Sequence, residues 1–268
     1  MTFKYFSKNG ELLPIEEAVV PLSNIEYQYG FGVYETIRVA NGIPYFLSDH
    51  LERLEESAKI IGLEHPFTST TIYGSVEKLV EKIGVGTYNL KILLIGGREP
   101  SLFVLSLNPH FPDKKLYRDG ASFITHHYER PFPHAKCLNM LQSYLAYKKA
   151  REAGCYDALL VNSRNCITEG TRTNFFCLKD KTLYSPPENE ILLGVTRKVV
   201  LQVAQENGFV LEERDIHVVD LQTFDGAFVT STSSKIIPVH SVDTSTFPAL
   251  PSTLRTLMER FDTFLSRN

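Results

Sequence analysis

The sequence predicts a mixed α+β and α/β fold in two domains, and three observations lead there. Turn pairs Asn9-Gly10 and Asn41-Gly42 each separate short runs of strand character, which marks two hairpins near the start. Later stretches mix helical apolar spacing with short apolar strands. Between the halves, Asn108-Pro109-His110-Phe111-Pro112-Asp113-Lys114-Lys115 has the composition of an interdomain linker. A chain of 268 residues can bury two modest cores. A small N-terminal α+β domain at 1–114 and a larger C-terminal domain at 115–268 follow.

In the first domain, residues 4–7 and 12–15 form the first hairpin, and 33–39 with 43–47 the second. Along 33–39, Val33, Glu35, Ile37 and Val39 share one face, while Tyr34, Thr36 and Arg38 share the other. That second face suits a polar pocket wall or simply solvent. A helix capped by Ser48 or Asp49 turns Leu51, Leu54, Ala58 and Ile61 inward and stops at Gly62. His50 and Arg53 fall on neighbouring turns of one of its faces. A further helix spans about 71–83, and strands at 90–95 and 102–107 close the domain.

The second domain opens with a strand near 121–126 and the proline-broken loop 129–133. That loop delivers Lys136 to the mouth of a helix whose apolar residues Leu138, Leu141, Leu145 and Ala150 lead to the stop at Gly154. Short strands near 157–161, 166–168, 174–178 and 182–184 follow. A helix opening at Leu192-Leu193-Gly194-Val195-Thr196-Arg197 turns Val199, Val200 and Val203 inward. After it come strands near 210–212 and 227–230, the turn Ser231-Thr232-Ser233-Ser234, and a closing helix at about 253–265.

Composition narrows the function. A net charge of -3 gives no basic field for nucleic acid or anionic membranes. The four cysteines, Cys137, Cys155, Cys166 and Cys177, lack CxxC spacing, so no metal is expected and reduced thiols are the default. With no apolar run resembling a signal peptide or a membrane span, the expected location is cytoplasmic.

Four features suit one anionic, nitrogen-containing cofactor. Lys136, set against apolar residues, suits an imine or a proton shuttle, although a surface role is commoner for a lysine. Gly194-Val195-Thr196 lies at a helix N-terminus, whose free N–H groups favour a phosphate or whose threonine caps its own helix. Ser231-Thr232-Ser233-Ser234 follows an apolar strand and offers hydroxyls and N–H groups to an anion. Glu169, at a strand end, can hold a proton on a ring nitrogen. Such a set is what pyridoxal 5'-phosphate requires.

Six stretches carry a resemblance in order along nearly the whole chain. They are Tyr29-Gly30-Phe31-Gly32-Val33-Tyr34-Glu35, His50-Leu51-Glu52-Arg53-Leu54, Lys136-Cys137-Leu138-Asn139, Thr168-Glu169-Gly170-Thr171-Arg172-Thr173-Asn174, Leu193-Gly194-Val195-Thr196-Arg197 and Ile237-Pro238-Val239. This set resembles the class IV aminotransferase family, the fold-type IV pyridoxal phosphate enzymes typified by D-amino acid aminotransferase. The resemblance implies Lys136 as imine-forming residue and proton shuttle, and Glu169 as partner of the pyridine nitrogen. It also implies Arg53, Val195, Thr196, Ser231 and Thr232 around the phosphate, the cofactor between the two domains, and a homodimer.

Within the family, Lys136-Cys137-Leu138-Asn139-Met140-Leu141 resembles D-amino acid aminotransferases and 4-amino-4-deoxychorismate lyases. Leu141 stands where branched-chain enzymes carry a tyrosine. The arginine–x–histidine carboxylate trap of D-amino acid enzymes is not matched at Arg98-Glu99-Pro100. The expectation is therefore a 4-amino-4-deoxychorismate lyase making 4-aminobenzoate and pyruvate on the folate route. The alternatives are a class IV aminotransferase for D- or branched-chain amino acids, and a cofactor-binding protein without turnover. The lyase's substrate carries two carboxylates, for which Arg38, Arg98 and Arg130 are the candidate cations and Tyr34 and His127 their polar neighbours.

Overall fold

A computed structural model of the chain describes residues 3–108 and 111–267. The linker's Pro109 and His110 lie outside the described residues. Two compact units emerge: Met1–His110 with His134–Met140, and Phe111–Pro133 with Leu141–Asn268. The lysine segment joins the first unit, because its backbone is bonded to a strand there.

In the first unit, strands β1 (Tyr5–Lys8), β2 (Glu11–Pro14), β3 (Gly32–Ala40), β4 (Ile43–Pro44), β5 (Thr87–Ile95) and β6 (Ser101–Leu107) form one sheet, in the order β2-β1-β6-β5-β3-β4. The helices are α1 (Ile25–Tyr29), α2 (Leu47–Ile60) and α3 (Ser69–Ile83). β3 alternates between the core and a half-buried face, with Val33, Glu35, Ile37 and Val39 buried. Val33, Ile37, Val39, Leu90, Ile92 and Leu94 pack with Leu51, Leu54, Ala58, Val76 and Leu79 of the helices. Burial of this kind contributes roughly 1.5–3 kcal/mol per large side chain.

Two expectations for this unit are corrected. The second hairpin's return strand is only β4, because Phe46 adopts a left-handed backbone (φ 54°) and the chain turns at once into α2. Phe46 is thus the N-cap, and neither Ser48 nor Asp49 caps the helix. α1 has no apolar stripe and buries none of its residues, which is why the spacing did not reveal it.

The second unit holds a ten-stranded sheet. Its strands are β7 (Ala121–His127), β8 (Asp157–Val161), β9 (Cys166–Gly170), β10 (Asn174–Lys179), β11 (Thr182–Ser185), β12 (Val210–Glu213), β13 (Ile216–His217), β14 (Gly226–Ser231), β15 (Lys235–Val242) and β16 (Ser245–Thr246). The order is β12-β11-β10-β14-β15-β7-β8-β9-β13, with β16 beside β15 and a further β9–β10 pairing. The helices are α4 (Lys114–Asp119), α5 (Leu141–Glu152), α6 (Val195–Glu206) and α7 (Ser252–Arg267). Phe123, Leu159, Ile167, Phe175, Val229 and Ile237 form part of its core.

The helix after Lys136 is corrected most. It begins at Leu141, five residues beyond the lysine, and buries Ser143, Ala146 and Ala150. Leu141, Tyr144 and Leu145 are exposed, so the leucine spacing marked an outer face. Among the described residues, no helix is long and apolar enough to cross a membrane.

Candidate active site

The first unit holds Lys136 in an extended segment beside β3. Tyr34 N–H donates to the Lys136 carbonyl (2.9 Å), Leu138 N–H donates to the Gly32 carbonyl (2.8 Å), and Cys137 pairs with Val33. Lys136 N–H donates in turn to Ser57 Oγ on α2 (3.0 Å). A strand edge and a buried serine therefore fix the lysine's backbone, and no helix mouth is involved. Its Nζ lies 4.6 Å from the centre of the Tyr34 ring. Lys91 Nζ lies 4.8 Å from the same ring.

Lys91 escaped the sequence reading. It faces Thr36 across the β3–β5 pairing, two residues from the Tyr34–Leu93 pair. The period-2 rule puts these residues on one face, so registering β5 against β3 was the available signal. Arg38 sits half-buried on the same face of β3 as Tyr34.

On the opposite, buried face of β3, Glu35 grips Arg53 of α2. Arg53 Nε donates to Glu35 Oε1 at 2.7 Å and Nη2 donates to Oε2 at 2.8 Å. His50 Nδ1 lies 2.7 Å from Oε2. Burial alone would raise the Glu35 carboxyl, but the Arg53 and His50 partners outweigh it and hold it well below the usual range. With the carboxylate ionised, His50 Nδ1 carries the hydrogen and donates it. Burial pushes the His50 pKa down, against the pull of Glu35. From sequence, Glu35 is only one of four residues, with Val33, Ile37 and Val39, that share a face of β3. An acidic residue on an apolar face, opposite a His–x–x–Arg helix, was the missed clue.

In the second unit, Glu169 is buried at the end of β9. Arg130 Nε lies 2.6 Å from Glu169 Oε1, and Arg130 Nη2 donates to the Thr171 carbonyl at 2.7 Å. Arg130, expected at substrate carboxylates, is instead the partner of Glu169, because the proline-broken loop folds back onto β9. Leu192 N–H reaches Glu169 Oε2 at 3.3 Å, and Asn174 Nδ2 donates to the Leu192 carbonyl at 2.7 Å.

α6 opens with Gly194 as N-cap and no side-chain cap. Its first N–H groups therefore have no intrahelical acceptor, the usual seat for an anion. A Cβ on Gly194 would overlap Asn174 Oδ1, so only glycine lets the backbone approach there. Thr196 Oγ1 lies 3.5 Å from Thr232 Oγ1, which brings the helix end to the hydroxyl turn after β14. Ser231 Oγ and Ser234 Oγ are 2.6 Å apart within that turn. Val195 is buried, while Thr196, Ser231 and Thr232 are half-buried. Arg197, next in the motif, turns away to Glu188 (2.9 Å) and Ser185.

Two expected residues stay apart. Arg98 is exposed in the turn between β5 and β6, and no described contact joins it to Lys136. His127 is exposed at the end of β7, and no described contact joins it to Glu169. Among the described residues, no cluster of His, Cys, Asp and Glu suits a metal ion.

An uncapped helix end cradled by a glycine, a hydroxyl turn and a buried arginine-held carboxylate fit the phosphate and ring nitrogen of pyridoxal phosphate. The comparisons identify the family and its cofactor. The Amino-transferase class IV family matches residues 32–242, and the chain belongs to that family. It is a pyridoxal phosphate-dependent enzyme. It is 33% identical over 250 residues to a D-alanine aminotransferase from Bacillus licheniformis, covering 89% of this chain and 88% of that one. It is also 33% identical over 254 residues to a putative branched-chain-amino-acid aminotransferase from Methanocaldococcus jannaschii, covering 88% and 86%. The structure of a hypothetical aminotransferase from Mycobacterium tuberculosis, in its pyridoxal phosphate-bound form, superposes with a TM-score of 0.87 at 23% identity, covering 98% and 100%.

Proposed function

We propose that the protein is an amino-acid transaminase that moves the amino group of a D-amino acid to a 2-oxo acid. The observation that carries transamination over the expected lyase is the near-full-length identity to the two aminotransferases. Leu141, where branched-chain enzymes carry a tyrosine, favours the D-amino acid donor. A branched-chain donor is the second reading, favoured by the relative from Methanocaldococcus jannaschii.

Pyridoxal phosphate, when bound, supplies a carbonyl carbon that takes up the amino group and a ring that accepts electrons from the substrate carbon. Glu169 holds the proton at the pyridine nitrogen, and Arg130 fixes that carboxylate. The N–H groups of Val195 and Thr196, the hydroxyls of Ser231 and Thr232, and Arg53 hold the phosphate. Lys136 Nζ moves the proton at the substrate's amine-bearing carbon, steered by the Tyr34 ring beneath it. Lys91 and Arg38, on the face of Tyr34, attract the substrate carboxylate.

A homodimer is part of the proposal. Val19, Val20, Leu22, Ile25 and Tyr29 are exposed. A largely apolar hollow of about 340 Å³, lined by residues including Val20, Tyr27, Phe103 and Leu138, lies in the same unit. Surface of that kind marks an interface. The four free cysteines suit a reducing compartment, and we place the enzyme in the cytoplasm.

The test is a panel of D- and L-amino acids with 2-oxoglutarate, alongside 4-amino-4-deoxychorismate. D-Alanine should yield pyruvate, and Lys136→Ala should lower that rate by about 10²–10⁴ or more. Lysine-dependent 4-aminobenzoate without amino transfer would restore the lyase, and activity confined to L-leucine or L-valine would select the branched-chain reading.

A further inference from the structure

β8 begins with a carboxylate that the proposed chemistry does not use. Asp157 is wholly buried beside β9 and the turn that follows it. Thr171 Oγ1 donates to Asp157 Oδ1 at 2.6 Å, and the Ala158 N–H donates to the same oxygen at 2.8 Å. Arg172 Nε is 3.8 Å from Oδ2, its guanidinium resting 4.3 Å from the Tyr147 ring centre and 5.6 Å from that of Tyr156. Thr171 N–H also donates to the Ala158 carbonyl at 3.1 Å. The turn 170–173 is thus tied down through both the backbone and the side chain of Thr171, and a Cβ on Gly170 would overlap Thr173 Oγ1 and approach Asp157 Oδ2 to 3.4 Å.

What this anchor holds is specific. The carbonyl of the same Thr171 accepts from Arg130 Nη2, and the same guanidinium meets Glu169 through Nε. A continuous path therefore runs from the Asp157 carboxyl through the Thr171 hydroxyl, the Thr171 carbonyl and the Arg130 guanidinium to Glu169. A buried carboxyl left half-compensated costs stability, so its presence calls for a reason beyond packing.

We propose that Asp157 is a positioning residue for the ring-nitrogen end of the site: by fixing Thr171 it aims Arg130 at Glu169. It does nothing for the phosphate end, which rests on α6 and the hydroxyl turn. The inference depends on the pyridoxal phosphate reading of Glu169.

Binding to the apo form separates the two ends. Wild-type protein is titrated with pyridoxal phosphate, with pyridoxal lacking the phosphate, and with inorganic phosphate as competitor. Asp157→Ala should weaken pyridoxal and pyridoxal phosphate by about tenfold or more while inorganic phosphate competes as before. Asp157→Asn, which keeps an acceptor for the Thr171 hydroxyl, should recover most of the loss. Thr171→Val, which removes that hydroxyl and leaves the carbonyl, should behave like Asp157→Ala, and it carries the test if the alanine variant does not fold. Equal weakening of phosphate and pyridoxal in the variants would reduce Asp157 to general packing and overturn the inference. So would unchanged affinities throughout. Wild-type protein that takes up neither pyridoxal compound would instead overturn the parent reading.

Discussion

Each unit buries a carboxylate beside an arginine, and the two are built in opposite ways. Glu35 meets Arg53 edge to edge, with two bonds under 3 Å and His50 against the same group. Asp157 has no arginine in hydrogen-bond contact: Arg172 lies at 3.8 Å, Arg130 acts only through its charge, and the close partners are a hydroxyl and one N–H. The outcome differs accordingly: burial is outweighed at Glu35, which stays ionised, and prevails at Asp157, whose carboxyl is pushed above its ordinary range against the pull of Arg172. Burial alone therefore does not set the charge of an acid. The count and distance of its partners do.

The largest effect expected from this contrast is at Glu35. Glu35→Gln leaves the Arg53 guanidinium facing a neutral amide, and breaking a buried pair in this way costs roughly 3–5 kcal/mol. Asp157→Asn should change the unfolding free energy by no more than about 1 kcal/mol, because a half-compensated acid is replaced by a neutral isostere. Urea unfolding of the two variants, followed by circular dichroism, checks both. Similar losses would erase the distinction.

The pH dependence sharpens it. The Glu35 pKa is lower in the folded protein than in the unfolded chain, so its contribution is present above the unfolded value of about 4.5 and is lost as pH falls from there through the folded one. For Asp157 the sign is reversed. Its folded pKa is raised, so its contribution is full below the unfolded value of about 3.8 and is lost as pH rises through the folded one. On acidification from neutral pH, Asp157→Asn should therefore fall further below wild type, or gain less over it. Glu35→Gln should keep its deficit until the pH drops below about 4.5, where the unfolded chain's Glu35 takes up protons, and should recover from there. Thermal melts of the apo protein across that range give both slopes.

How much of this was legible beforehand follows the same physics. The alternation of β3 put Glu35 on one face with Val33, Ile37 and Val39, and Tyr34 and Arg38 on the other, and the structure keeps that arrangement while showing which face is buried. Local turn chemistry and short-range spacing are written in neighbouring residues, so both hairpins and α6 were readable. The Glu35–Arg53 and Arg130–Glu169 pairs were not, since each joins residues brought together only by the folded sheet. The position of the lysine was misread for a related reason. Leu138 looked like the first turn of a helix, but its N–H is taken by Gly32, far back in the chain, and the helix cannot start until the strand pairing ends.

A smaller effect tests the phosphate end of the comparison. Gly194 has ordinary extended backbone angles (φ -66°, ψ 135°), so alanine there is not strained by φ. Its added methyl group meets Asn174 Oδ1 and must displace either the helix start or the asparagine that braces Leu192. Gly194→Ala should leave the Glu35 cluster and its pH profile untouched. Pyridoxal phosphate should bind about tenfold more weakly or worse, with inorganic phosphate losing competition in parallel. Fluorescence titration of the apo protein distinguishes this from the Asp157 variants, which spare inorganic phosphate.

The smallest effect is expected on α5, which has the same length as α6 and the opposite orientation of its large residues. α6 buries Val195, Val199, Val200 and Val203, whereas α5 buries only Ser143, Ala146 and Ala150. Leu145 is 44% exposed and Leu141 62% exposed, so little apolar area is lost from the unit when either is replaced. Leu145→Ser should shift the unfolding free energy by no more than about 0.5 kcal/mol at high dilution. Val200→Ala in α6, where the side chain is fully buried, should cost on the order of 1–3 kcal/mol. A loss at Leu145 that matched the valine and grew with protein concentration would mean that a second copy of the chain covers α5. The outer face would then be an interface, and the leucine spacing would report burial between chains rather than within one.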